Sequence, residues 1–321
     1  MITSAVLAHS ITWRSSKQSY FTAVLLADRT LVDDCLRAYA YFRWADDVVD
    51  IVLQSEKERI EFIARQKALV RKLYRNERIM DLCPEERMLA DLIGHDRNPG
   101  SGLHSFICNF MAVIEFDSQR MGRLVRREDL STYTNHLATA VMDGLQYFIG
   151  NGHPYPKTPE RDMAVTGAHI THMLRDMLED LPSGIINIPL EDLAEYGISI
   201  EELDNASFRN WVNDQTNKAR QAFLAGQGYI HSMSVLRCKL AGVWYLARFD
   251  NILNVIEREG YRLRLDYPER HYLATWMEIA RVGYQITIEH LAGQLNRKFH
   301  AVHGPSTLPS ATGMRAFPFN K

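Results

Sequence analysis

The sequence predicts an all-α fold: one large helical domain of about ten helices around a central cavity. Apolar residues recur at helical spacing along most of the chain, and no segment alternates at the period of two that a half-buried strand requires. Two stretches place several carboxylates on helical stripes that otherwise carry apolar, core-facing residues. The 321 residues, 46% hydrophobic and 24% charged, suffice for one large core.

Taken in order, residues 19–52 read as one or two helices, with a break near Ala27-Asp28-Arg29-Thr30. Residues 56–76 form a charged amphipathic helix. Pro84 opens another at the first helical position, where its missing N–H is harmless. The breakers between Gly94 and Gly102 mark a loop. Phe106 to Met121 and Glu128 to Ile149 follow as helices, and N-G-H-P-Y-P-K-T-P is a long connection. The next helix ends at Leu181-Pro182-Ser183-Gly184, and 207–229, 231–257 and 268–297 supply three more. The helical domain is expected over residues 1–303, and the Pro/Ser/Gly-rich residues 304–321 as a loosely ordered tail.

The chain is organised around Tyr39 to Asp50, Y-A-Y-F-R-W-A-D-D-V-V-D. Tyr39, Arg43, Asp46 and Asp50 are spaced four, three and four apart, on one stripe that continues Val32 and Leu36, with Asp47 beside Asp46. Inward-pointing carboxylates are costly unless cations or donors meet them. A second stretch, H-I-T-H-M-L-R-D-M-L-E-D, repeats the device with His169, His172, Asp176 and Glu179, and Asp180 one step round. Arg175 stands just before these carboxylates, as Arg43 does before the first set. Two such helices facing each other would wall a cavity with carboxylates, an oxygen-rich set suited to Mg²⁺ (or Mn²⁺) bridging to the phosphates of a substrate.

A net charge of -2 implies no general attraction to nucleic acid. No run of about 18 apolar residues marks a spanning helix, and the N-terminus lacks a basic start and a long apolar block. The four cysteines, Cys35, Cys83, Cys108 and Cys238, show no C-x-x-C pairing, which fits free thiols and a cytoplasmic location. Arg120, Arg123, Arg126 and Arg127 read as a basic face, either plainly solvated or in peripheral contact with a membrane. Phe106, Phe110, Tyr147 and Phe148 read as core before cavity wall, and Trp44 has no assignment.

With both acidic stretches placed, the chain resembles the squalene/phytoene synthase family of head-to-head prenyl diphosphate synthases, from about Lys17 to Arg262. The family's Y-x-x-x-R-x-x-D-D-x-x-D is matched by Tyr39, Arg43, Asp46, Asp47 and Asp50. The later part of its N-x-x-R-D-x-x-E-D is matched by Arg175, Asp176, Glu179 and Asp180, and Tyr245 to Tyr261 resembles its closing helix. The resemblance implies an isoprenoid synthase-like fold that joins two C15 or C20 prenyl diphosphates into a C30 or C40 hydrocarbon through a cyclopropyl intermediate. It implies metal ligation by Asp46, Asp47, Asp50, Asp176, Glu179 and Asp180. Substrate contacts are implied at Lys17, Ser19, Tyr39, Arg43, His172 and Arg175, with Tyr133 joining Asp46, Asp50, Asp176 and Asp180 in catalysis. Neither chain length nor product nor a need for NADPH is specified.

The chain also departs from that pattern. Lys17 replaces the first serine of S-x-S-F, His172 the asparagine of the second motif, and His169 the glutamine before it. Thr139 and Met142 stand at the glycines of Y-x-x-x-x-A-G-x-V-G, and Ile185 and Asn187 at the arginine and tyrosine of R-I-Y-L-P. Larger side chains at the two glycines would shrink whatever space they line. Four readings follow: a head-to-head synthase, a one-substrate terpene cyclase or other prenyl transferase, a non-catalytic relative, and a histidine/carboxylate metalloenzyme built on His169 and His172.

Overall fold

The computed structural model describes residues 2–303, Pro154 and Tyr272 excepted, and these form twelve α-helices. In chain order they are α1 (Ser4–Ser15), α2 (Lys17–Leu26), α3 (Val32–Asp47), α4 (Glu56–Tyr74), α5 (Pro84–His95), α6 (Gly102–Arg120), α7 (Arg127–Ile149), α8 (Met163–Asp180), α9 (Leu190–Tyr196), α10 (Ala206–Ser232), α11 (Leu236–Arg258) and α12 (Leu273–His303). Sequence periodicity anticipates most of them but misses α1 and the short α9. The expected tail, 304–321, lies outside the described residues.

Local chemistry explains the boundaries. Thr3, Ser16, Ser55, Ser101 and Asn205 each accept a hydrogen bond from the first turn of the helix they precede. Pro84 occupies the first turn of α5 as expected. A single 3-10 turn follows α8, and Gly184, at φ +77, reverses the chain.

The stretch after Asp47 does not continue α3 regularly. Val48 to Val52 forms a π turn, closed by the Leu53 amide on the Val48 carbonyl at 3.0 Å. Asp50 lies within this turn.

The largest apolar cluster joins α1 to α7 and includes Leu36, Tyr41, Phe42, Met88, Leu92, Ile107 and Ile149. A second gathers the ends of α8, α10 and α11 around Leu174, Phe208, Trp211 and Ile256. A third gathers Ala168, Phe223, Val243 and Ile286 from α8, α10, α11 and α12, with α12 seated against α11. α8 and α10 are in close contact at Gly226, where a Cβ would stand 2.3 Å from the Ala164 nitrogen. That contact fixes α8, and with it the second acidic stretch, against the body of the protein.

Candidate active site

Helices α3, α6, α7, α8 and α11 enclose a cavity of about 620 Å³, within the range of small-molecule sites. Its polarity is graded. On α3 the lining passes from Cys35, Ala38 and Phe42 to Arg43 and Asp46; on α6 it passes from Phe106, Phe110 and Ile114 to Asp117 and Arg120. α7 reverses the order, from Tyr133 to Leu145, Phe148 and Ile149. α8 adds His169, His172, Arg175, Asp176 and Asp180, and α11 adds Tyr245, Arg248 and Phe249. At 1.5 Å per residue, Phe106 to Arg120 spans about 21 Å of wall, apolar at one end and charged at the other. Phe106, Phe110 and Phe148 are therefore cavity wall as well as core, while Tyr147 does not line the cavity.

Each acidic stretch holds its own arginine. Arg43 contacts Asp46 at 3.2 Å and also pairs with Asp47. Arg175 grips Asp176 with two hydrogen bonds of 2.5 and 2.6 Å. His172 Nε2 lies 2.7 Å from the same carboxylate. Burial works to raise Asp176, but the hydrogen bonds and charges of Arg175 and His172 outweigh it and hold the group far below the usual carboxylate range.

The other carboxylates are pushed the opposite way. Burial, then the neighbouring Asp50, lifts Asp46 to about 6 against the pull of Arg43. Burial and Asp117 lift Asp50 to about 6. Asp117 itself reaches about 6 through burial, opposed by Arg120, and Asp180 is raised by burial and Asp176. The set thus holds more negative charge than its arginines neutralise, which is the condition a bound cation relieves. Among the described residues no group of three His, Cys, Asp or Glu side chains is arranged to hold a metal ion unaided. The donor chemistry fits hard cations that also take oxygens from a bound diphosphate.

A network from α6 is absent from the sequence reading. Tyr133 donates to Asp117 at 3.2 Å, and Asp117 contacts Arg120 at 2.8 Å. Arg120 lies over the rings of Phe116 and Tyr133 and donates to Asn187 at 2.6 Å. Asn187 in turn donates to Asp180 at 3.0 Å. Arg120 therefore does not belong to a basic surface, and the neighbouring Arg123 and Arg127 are paired with Glu56 and with Asp192 and Glu195. For Arg120 this corrects the basic-face reading, while Arg123, Arg126 and Arg127 remain exposed. The sequence signal was there in Asp117 and Arg120, one turn apart at the end of an apolar helix.

The structure gathers Tyr39, Arg43, Asp46, Tyr133, His172, Arg175, Asp176 and Asp180 on the cavity. Asp50 lies beside it, only partly exposed, Asp47 is tied to Arg43, and Glu179 is exposed. Lys17 and Ser19 are not among the lining residues; the Lys17 ammonium sits over the Trp13 ring at 5.5 Å. His169 is buried, its ring 5.0 Å from that of Tyr133 and its Nε2 without a partner. Thr139 and Met142 do not line the cavity, and Met142 is packed in the core.

The model of squalene/phytoene synthases matches residues 13–276. The chain belongs to the squalene/phytoene synthase family. Within the family, a 15-cis-phytoene synthase of Synechococcus elongatus is 29% identical over 183 residues, 51% of this chain and 58% of that protein. A bifunctional lycopene cyclase/phytoene synthase of Arthroderma gypseum is 23% identical over 206 residues, 58% of this chain and 35% of that one. The chain thus aligns with less than two thirds of either relative's length. The fold is shared with squalene synthase HpnC from Alicyclobacillus acidocaldarius, at TM-score 0.65 and 19% identity, covering 81% of this chain and 95% of that one. It is also shared with a dehydrosqualene synthase solved with a ligand, at TM-score 0.68 and 15% identity, covering 90% and 97%. Among the described residues no helix is long and apolar enough to cross a membrane, and all four cysteines are free.

Proposed function

We propose that this protein is a Mg²⁺-dependent prenyltransferase that joins two C15 or C20 prenyl diphosphates head-to-head into a C30 or C40 hydrocarbon. One observation carries the proposal: a single cavity has carboxylates and arginines from α3, α6 and α8 at one end and an aromatic and aliphatic wall at the other. An amphiphile with an anionic head and a long apolar chain is the ligand class such a gradient fits.

Asp46, Asp176 and Asp180, with Asp50 beside them, would hold the cations; bound Mg²⁺ would neutralise diphosphate charge and favour its departure. Arg43 and Arg175 orient the carboxylates of their own helices and place positive charge next to the departing group. Phe42, Phe106, Phe110, Phe148 and Phe249 exclude water from the allylic cation left behind and offer it their ring faces. The second prenyl double bond then captures that cation, and a proton is lost as the cyclopropane closes. Departure of the remaining diphosphate and rearrangement give a cation that loses a proton, or takes hydride from NADPH, to complete the join. Tyr133, held by Asp117, sits where the charged and apolar walls meet, and His172 acts on the site through Asp176.

The one-substrate reading rests on Thr139, Met142, Ile185 and Asn187, of which Asn187 alone lines the cavity. Pure protein incubated with Mg²⁺ and C10, C15 or C20 diphosphates, with and without NADPH, tests the proposal. Diphosphate release from a C15 or C20 substrate is expected; no release from any of them under either condition contradicts it.

A further inference from the structure

The second acidic motif has lost one amide and gained another. Where the family pattern has asparagine, this chain has His172; fifteen residues on, where the pattern has tyrosine, it has Asn187. His172 is committed to Asp176. Asn187 reaches the other carboxylate of the motif, donating from Nδ2 to Asp180 Oδ2 at 3.0 Å.

Asp180 needs such a partner. It is the last residue of α8, at the negative end of the helix dipole, and the last turn carries no basic residue. Its neighbour Asp176 adds a like charge. Asn187 is well placed to hold it, being 3% exposed and itself immobilised. Its Oδ1 accepts from Arg120 at 2.6 Å, and Arg120 is anchored by Asp117 and two aromatic rings. The segment is pinned to the end of α6 by the Gly122 amide, which donates to the Gly184 carbonyl at 2.8 Å, and by the Arg123–Ile185 bridge.

We propose that Asn187 is a positioning residue of the acidic site: its amide fixes one oxygen of Asp180, leaves the other for a ligand in the cavity, and takes over from the amide the motif lacks at position 172. The inference rests on the reading that this site binds a diphosphate together with a divalent cation.

The test is a Mg²⁺ titration of the full chain at a fixed concentration of inorganic diphosphate, read as the shift in thermal midpoint. For Asn187→Ala the half-saturating Mg²⁺ should rise by about 10- to 100-fold, the usual effect of losing a partner that orients a metal ligand. Adding His172→Asn should recover most of that loss, which a merely structural role of Asn187 would not allow. Asn187→Leu, which keeps the bulk without the amide, gives the same comparison if the alanine variant does not fold. A half-saturation within about twofold of the parent in either single variant overturns the inference, since outer-shell partners are worth more than that. So does a loss that His172→Asn leaves unchanged. A parent protein that fails to respond to Mg²⁺ and diphosphate at all instead contradicts the diphosphate reading on which the inference rests.

Discussion

Tyr133 on α7 donates its hydroxyl to the carboxylate of Asp117 on α6 at 3.2 Å, and that bond joins the apolar wall of the cavity to its charged end. Removing the hydroxyl with Tyr133→Phe should cost about 1.5–3 kcal/mol of stability, the range for one hydrogen bond to a charged partner. Asp117→Ala should cost more, about 3–5 kcal/mol, because it leaves Arg120 without its carboxylate in a largely buried setting. Denaturant midpoints of the two variants check the order. Equal losses would mean that the Asp117–Arg120 pair is not what anchors the network.

Asp46, Asp50, Asp176 and Asp180 should each be required. Replacing any one by alanine should lower diphosphate release from a prenyl diphosphate by at least about 10²-fold, as loss of a key electrostatic contact does. The assay is initial rate at saturating Mg²⁺. Near-parental rates for Asp46→Ala and Asp176→Ala would contradict the ionisation model.

What the sequence made legible was whatever repeats at the helical period. The stripes Tyr39, Arg43, Asp46 and His169, His172, Asp176 could be read because three- and four-residue spacings fix a face whatever packs against it. The same rule put Glu179, which is exposed, on the second stripe and Asp180, which lines the cavity, one step round. Asp50 was placed on the first stripe by the same rule; it lies in a π turn, yet Asp117, Arg43 and Arg120 remain close enough to act on its carboxylate. Asp117 and Arg120 escaped because a single acid and base on an apolar helix look like an ordinary surface pair. Only the packing of α6 against α7 turns them inward. The phenylalanines raised the converse problem, since core and cavity wall have the same composition and differ only in whether space remains beside them.

His169 gives a pH signature. Burial, then the charges of His172 and Arg120, lowers its pKa to about 3, so it is neutral in the folded protein. The unfolded chain takes up this proton near the ordinary value of about 6.5. Between those values the unfolded state binds more protons, so stability falls as pH falls. The contribution is fully present above about pH 6.5, and on the order of 2 kcal/mol of it is gone at pH 5. Thermal midpoints from pH 7.5 to 5 should therefore fall less steeply for His169→Gln than for the parent. Parallel curves would show that the buried imidazole takes a proton without penalty.

Cavity volume should respond at Gly144 and not at Thr139 or Met142. A Cβ on Gly144 would stand 2.8 Å from the Phe106 ring, so Gly144→Ala must displace that ring or the backbone beside it. Its kcat/KM for a C20 substrate should fall more than for a C15 one. Met142→Ala should cost about 2–5 kcal/mol, as core truncations do, and leave the preference for chain length unchanged. Competition between C15 and C20 diphosphates checks both variants. A changed preference in Met142→Ala alone would mean that the core position, not the cavity wall, sets the chain length.

The joining of two chains is the central claim, and carbon count is its most direct test. Purified protein given Mg²⁺, a C15 diphosphate and a reductant should yield a hydrocarbon of twice the carbon number, read as its mass. A C30 product is the outcome the account predicts. C15 products alone, across a range of Mg²⁺ concentrations and with the reductant present, would contradict it.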